Sequence, residues 1–128
     1  TWVIAGVGSV VLAYVSVAMT SIERGAAPPA IATHAPGPVP ALLIGRLAVD
    51  RSVVGLGVGT ALVAYVLATA VDLNVRAACR AVVVSALDGR AQSWWERLGF
   101  HPFGHADDGS LDLYLLTTEI EATLRSLG

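Results

Sequence analysis

Three glycines on alternate residues, Gly55, Gly57 and Gly59, are the part of this sequence best suited to chemistry. They lie within Asp50-Arg51-Ser52-Val53-Val54-Gly55-Leu56-Gly57-Val58-Gly59-Thr60. Glycine lets the backbone turn tightly and lets a phosphate approach with no Cβ in the way. Where a helix starts beyond such a turn, its first amides are unpaired and its dipole is positive, so the segment suits a pyrophosphate. It is not the dinucleotide pattern: the last Gly of that pattern is missing, and no acidic residue follows about 20 positions on, where Arg76 to Arg80 offers arginine. It is not a Walker loop either, since no Gly-Lys-Ser/Thr occurs. Read alone, the glycines fit close packing of helix on strand equally well.

Other residues with chemical potential are scattered. His34, His101 and His105 have no ligand spacing with one another or with a cysteine, so no metal is expected. His34 sits in a proline-rich stretch and is the spare candidate for a base, against the plainer reading of a solvated loop histidine. Asp88 reads as a helix cap before it reads as a base. The Ser85 hydroxyl can serve a ligand or a local backbone group. Arg46 and Arg51 flank the approach to the glycine turn, where they can meet a ligand phosphate or a nucleic-acid backbone, or equally well simply face water. Trp94 reads as core. Cys79 reads as a small buried residue; as the one cysteine it forms no intrachain disulfide, which is compatible with a reducing cytoplasm.

The elements that must hold these groups follow from pattern. Trp2 to Ala5 and Val10 to Ala18 read as strands joined by a turn at Gly6-Val7-Gly8-Ser9. Gly25 to Pro40 carries five of the six prolines and reads as a long loop. Ala41 to Val49 is apolar enough for a strand buried on both faces. Val58 to Leu73 reads as a helix, with Val58, Leu62, Tyr65, Val66, Thr69 and Leu73 at helical spacing and Asn74 as its stop. Cys79 to Leu87 is a further strand. Asp88 caps a helix over Gly89 to Leu98, ended by a left-handed Gly99. His101 to Gly104 and Leu111 to Thr117 pair across a polar turn at Asp107-Asp108-Gly109, and Thr118 to Leu127 closes the chain as a helix. A strand–helix–strand centre flanked by hairpins implies an α/β fold with a sheet of mixed direction, in a single domain over residues 1–128.

Composition narrows the class. Hydrophobic residues make up 55% and charged residues 14%, which excludes a disordered chain. The net charge of −2 does not suit a free-standing nucleic-acid binder. All cationic side chains are Arg, and with the abundant Ala, Val and Gly this composition is typical of a GC-rich bacterial genome. Thr1 to Ile22 and Ser52 to Val71 are uncharged and long enough to span a bilayer of roughly 20 residues' depth. The glycines in both, and the valine runs of the first, favour a hairpin and a turn-plus-helix over membrane spans. No basic start precedes the first apolar run, so a signal peptide is not expected.

The run Leu43-Ile44-Gly45-Arg46-Leu47-Ala48-Val49-Asp50-Arg51, the glycine turn, Ala81 to Asp88, and Trp94-Trp95-Glu96-Arg97-Leu98-Gly99-Phe100 together resemble the GNAT family of N-acetyltransferases. The resemblance is nearest to the bacterial toxin acetyltransferases that modify aminoacyl-tRNA and are found beside ribbon-helix-helix antitoxins. It implies acetyl-CoA as cosubstrate, with the pantetheine arm along the backbone of Leu47, Ala48 and Val49 and beside Ser85. It implies the pyrophosphate within Val54, Gly55, Leu56, Gly57, Val58, Gly59 and Thr60. It further implies an amine acceptor, an antitoxin or homodimer partner, a cytoplasmic setting and no membrane.

Three departures from the family pattern bear on function. Val54 stands where the family carries Gln or Arg, and Thr60 where this branch often carries Arg, leaving backbone amides to hold the phosphates. Trp95 stands where the family's general acid, a Tyr, is expected; an indole N–H donates a hydrogen bond but does not transfer a proton at neutral pH. The family's first strand and two helices have no counterpart before Trp2, and those helices help form the acceptor pocket. The acidic balance also weighs against tRNA, leaving a small amine as the enzymatic alternative. A catalytically degenerate CoA-binding or protein-interaction module is the other reading.

Overall fold

The structure, a computed structural model, describes residues 1–6, 8, 10–22, 38–77, 79–103 and 111–127. Its valine-rich segments pair into one sheet. The strands are β1 (Trp2–Ala5), β2 (Val11–Ile22), β3 (Val39–Val49), β4 (Ala81–Ser85), β5 (His101–Pro102) and β6 (Asp112–Leu116). They lie in the order β1-β2-β3-β4-β6-β5. Among the described strands only β3 and β4 run parallel, and a helix, α1 (Val58–Ala77), lies between them in the chain. The other neighbours are antiparallel, which gives the mixed α/β sheet expected from the element order. Two further helices follow, α2 (Gly89–Arg97) and α3 (Thr117–Leu127).

Several boundaries differ from the sequence reading for physical reasons. β2 continues past Ala18 to Ile22 because β3 begins early enough to pair with it, from Thr20 opposite Ala41 to Ile22 opposite Val39. The expected loop to Pro40 therefore ends sooner, and residues 25–37 of it lie outside the described residues. Pro40 is tolerated inside β3 because its carbonyl, accepting from the Arg80 N–H at 2.9 Å, faces β4, whose pairing starts only at Ala81. On that side no ladder donor is needed from Pro40. Asn74 does not stop α1, which runs on to Ala77. The turns at Gly6-Val7-Gly8-Ser9 and Asp107-Asp108-Gly109 fall wholly or partly outside the described residues. Gly6 N–H does bond Val10 C=O at 2.7 Å, closing the first hairpin.

Both faces of the sheet centre are covered. Ala81, Val82, Val83 and Val84 of β4 are all buried, as a two-sided strand requires. On one face α1 contributes Leu62, Val63, Val66 and Ala70 to a cluster with Ala13, Val15, Leu42, Ile44, Val82 and Val84. The helix is thus rotated from the stripe expected: Tyr65 is 53% exposed and stacks edge-on against Trp2 at 5.0 Å. Cys79 is fully buried, and burial pushes its thiol up from the ordinary value, in keeping with a packing role. Asp88 caps α2 by accepting from the Ala91 N–H at 2.8 Å, and Gly99 turns the chain out of the helix at φ +102°.

Candidate active site

β3 keeps company with β4 for four residues only. The parallel pairing runs from Ala41 opposite Ala81 to Ile44 opposite Val84. Beyond Ile44, β3 continues to Val49 with β2 as its neighbour, while β4 ends at Ser85 beside Asp112 of β6. The two strands therefore part, and the point of parting coincides with an irregularity. Arg46 pairs with Ser16 and Ile44 with Val17, so Gly45 is an extra residue without a partner. That is a β-bulge, which bends the strand and re-aims the side chains after it. A glycine within a strand pattern is the sequence signal for such a bulge, although the apolar run from Ala41 to Val49 reads as an unbroken strand.

The gap opens into a cavity of about 780 Å³. Leu47, Val49, Val54, Gly55, Gly57, Val58, Gly59, Thr60, Ser85 and Trp95 all line it, bringing together residues up to 48 positions apart in the chain. Ala48 and Leu56 do not line it: Ala48 alternates away from Leu47 and Val49, and Leu56 projects from the tip of the turn, 73% exposed. The cavity also takes in Ile44, Gly45, Arg46, Val53, Val84, Ala86, Leu87, Ala91 and Trp94, which only the folded chain brings to it. Arg51, by contrast, sits exposed in a short 3-10 turn and does not line the cavity.

At one end of the cavity lies the glycine turn. Asp50 accepts from the Ser52 N–H at 3.0 Å and from its hydroxyl, and these bonds hold the Asp50 carboxyl below its ordinary value. Gly55 and Gly57 have φ of +86° and +81°, with no atom within 4 Å of where a Cβ would stand. Their conformation demands glycine and leaves open space before the backbone. Gly59 is different: a Cβ there would lie 3.4 Å from both the Trp94 ring and Val49, so it serves close packing. Both meanings of the glycine pattern are thus present, divided among its members. The first bond of α1 runs from the Ala61 N–H to the Gly57 C=O, so the amides of Val58, Gly59 and Thr60 precede the helical ladder. No acidic residue occupies the first turn of α1, and nothing there opposes an anion.

At the other end are Ser85, Trp94 and Trp95. The Ser85 hydroxyl donates to the Asp112 carboxylate at 2.5 Å, a side-chain partner that is neither of the two alternatives read from sequence. Trp95 is 6% exposed, its ring edge-on to Phe100 at 5.1 Å and to Trp94 at 4.9 Å. Trp94 is partly buried and packs against the core cluster, as its reading as core implies, and it also forms cavity wall against Gly59. His101 pairs with Glu119 at 2.7 Å and takes no part in the cavity. His34 and His105 lie outside the described residues. Among the described residues no group of three His, Cys, Asp or Glu side chains could hold a metal. No helix among them is long and apolar enough to cross a membrane.

The two parallel central strands of the mixed sheet thus part at a bulge, with the glycine turn and a helix N-terminus at the mouth of the gap between them. The family profile of the GNAT acetyltransferases matches residues 2–100, and the chain belongs to that family. A tRNA-acetylating toxin of Mycobacterium tuberculosis is 31% identical over 90 residues, which make up 70% of this chain and 54% of that protein. The chain thus spans about half the length of that curated relative. The toxin AtaT complexed with acetyl-methionyl-tRNAfMet superposes with a TM-score of 0.82 at 27% identity, covering 93% of this chain and 70% of that one. A tyrosine-to-phenylalanine variant of AtaT, bound to the C-terminus of the antitoxin AtaR and acetyl-CoA, superposes with a TM-score of 0.74 at 28% identity, covering 90% and 66%.

Proposed function

We propose that the chain is the cosubstrate-binding part of an N-acetyltransferase that moves an acetyl group from acetyl-CoA to a primary amine. The observation that carries this reading is the parting of β3 from β4 at Gly45, with the glycine turn at the mouth of the same cavity. The residues present fit the cosubstrate: Gly55 and Gly57 leave open backbone before the turn, and the amides of Val58, Gly59 and Thr60 offer donors to a pyrophosphate. The unpaired edges of β3 at Leu47 and Val49 are available to amide groups of the pantetheine arm, and Leu47, Val49, Val84 and Trp94 give it apolar walls. Acetyl-CoA supplies a thioester carbonyl open to a neutral amine. The chain's part is to hold that carbonyl near the bulge, to exclude water with Trp94 and Trp95, and to leave one side of the gap for the acceptor.

Val54 and Thr60 bring no charge to the turn, so phosphate binding rests on backbone amides. One charge-assisted contact fewer costs about 1–3 kcal/mol of affinity. Trp95 at the expected place of a general acid removes a further contribution of about 10²–10⁴ in rate. A thiolate leaves without full protonation, so turnover survives at a lower level with water as the acid. The buried setting of Trp95 among Phe100 and Trp94 also favours a second reading, a relative that binds coenzyme A without turnover.

The acceptor we assign is the aminoacyl group of a charged tRNA, with a translation-blocking role and an antitoxin partner. The support is the similarity to the tRNA-acetylating toxin and to AtaT. Calorimetry with coenzyme A and thiol release with a panel of amines test the whole proposal. Binding with slow release is expected; binding without release with any amine or aminoacyl-tRNA selects the second reading, and no binding sinks both.

A further inference from the structure

Arg46 is the only charged residue among those that line the cavity, and among the described residues no carboxylate is recorded in an ion pair with it. It comes directly after the bulge at Gly45. Leu47, the next residue, belongs to the cluster beneath α1, so by strand alternation Arg46 points to the opposite face of the sheet. It also lies three residues before Val49, roughly 10 Å back along the strand from the start of the glycine turn. Its position is therefore wrong for the pyrophosphate and right for whatever enters the gap from the other face.

Two hydroxyls stand beside it. Ser16 is the cross-strand partner of Arg46, and the Ser16 hydroxyl bonds that of Thr1 at 3.0 Å. Thr1 and Arg46 are exposed and Ser16 is partly so. A guanidinium with flanking hydroxyls is an oxyanion site, since its planar fork meets a carboxylate or phosphate in two bonds.

We propose that Arg46, flanked by Ser16 and Thr1, binds an oxyanion carried by the amine acceptor, making the preferred acceptor an amine that bears a carboxylate or a phosphate. This rests on the acetyltransferase reading and adds the chemical class of its second substrate. The oxyanion is held on one face while the amine reaches through the gap to the thioester on the other. Arg46 is then a specificity-determining residue and transfers no proton.

Matched amines test this with the full chain. Phosphoethanolamine is compared with ethanolamine for phosphate, and alanine with alaninamide for carboxylate, by calorimetry on the coenzyme-A-saturated protein and by thiol release with acetyl-CoA. The anionic member of at least one pair should bind about tenfold more tightly, the scale of one charge-assisted contact. Arg46→Ala should abolish that preference, Arg46→Lys should keep part of it, and the affinity for coenzyme A should not change in either. In kinetics the loss should fall on KM of the anionic amine and leave kcat intact. Equal binding of both members of both pairs, or a preference that persists in Arg46→Ala, overturns the proposal. So does a loss of coenzyme A affinity in Arg46→Ala with acceptor preference unchanged, which would move Arg46 to the cosubstrate. If the chain binds no coenzyme A, the same pairs are titrated against it alone; an Arg46-dependent preference there supports the oxyanion site while the acetyltransferase reading fails.

Discussion

The two ends of the cavity solve their tasks with different parts of the chain. On the proposed reading the working groups at the glycine turn are backbone amides, and the residues around them shape the path: Gly55 and Gly57 by their positive φ, Gly59 by its closeness to Trp94, and Asp50 by its bonds to Ser52. At the far end the groups that the proposal employs are side chains, namely Arg46, Ser85 and Trp95. Backbone recognition survives the loss of polar side chains, because Val54 and Thr60 leave the amides where they are. On the proposed reading, proton transfer by a side chain is lost at Trp95 and falls to water. The family's fold is retained, and the proposal places the weakening of its chemistry at the far end of the cavity.

Changes at the two ends should accordingly read out in different quantities. The largest effect is expected from Trp95→Tyr, which restores a phenol at the expected general-acid position. Thiol release should rise about 10²-fold or more, with coenzyme A affinity unchanged. A rise in affinity without a rise in rate would erase the distinction between the two ends. Next comes Gly57→Val, which forces a β-branched residue into a left-handed conformation at about 1–2 kcal/mol and crowds the open turn. Calorimetry should find coenzyme A affinity reduced by at least about tenfold, while Gly89→Ala, outside the turn and with open space at its Cβ, should leave it alone. The converse change, Val54→Arg, should tighten binding by roughly tenfold, and the gain should fade as salt is raised.

Smaller effects concern stability. Asp88→Ala removes the cap of α2 and should cost about 1 kcal/mol in denaturant melts. Smallest is the pH response of the turn. Since Ser52 holds the Asp50 carboxyl below its ordinary value, its contribution is present above the usual carboxylate range, near pH 4, and is lost as pH falls through the lowered value. Asp50→Asn should flatten that part of the stability profile and leave the melt at neutral pH slightly lower.

Much of this was legible in the chain itself. The mixed sheet follows from the apolar strands on either side of one helix, and the tight turn at the mouth of the cavity follows from alternate glycines after a buried strand. The cap at Asp88 and the left-handed Gly99 were read from local chemistry alone, because capping depends on neighbours two or three residues away. That residue 95 is a tryptophan, whose indole is no proton donor at neutral pH, is likewise legible in the sequence.

What the sequence did not determine depends on partners distant along the chain. The face that α1 buries is set by the twist and spacing of the sheet beneath it, so Ala70 lies inside and Tyr65 outside. The bulge at Gly45 exists only as a mismatch of register between β2 and β3, and register is a property of two strands. From it follow the parting of β3 from β4, the turning of Arg46 to the opposite face, and its meeting with Ser16 and Thr1. Local residues fixed which groups the protein has, whereas the pairing of strands decided which of them face a common space.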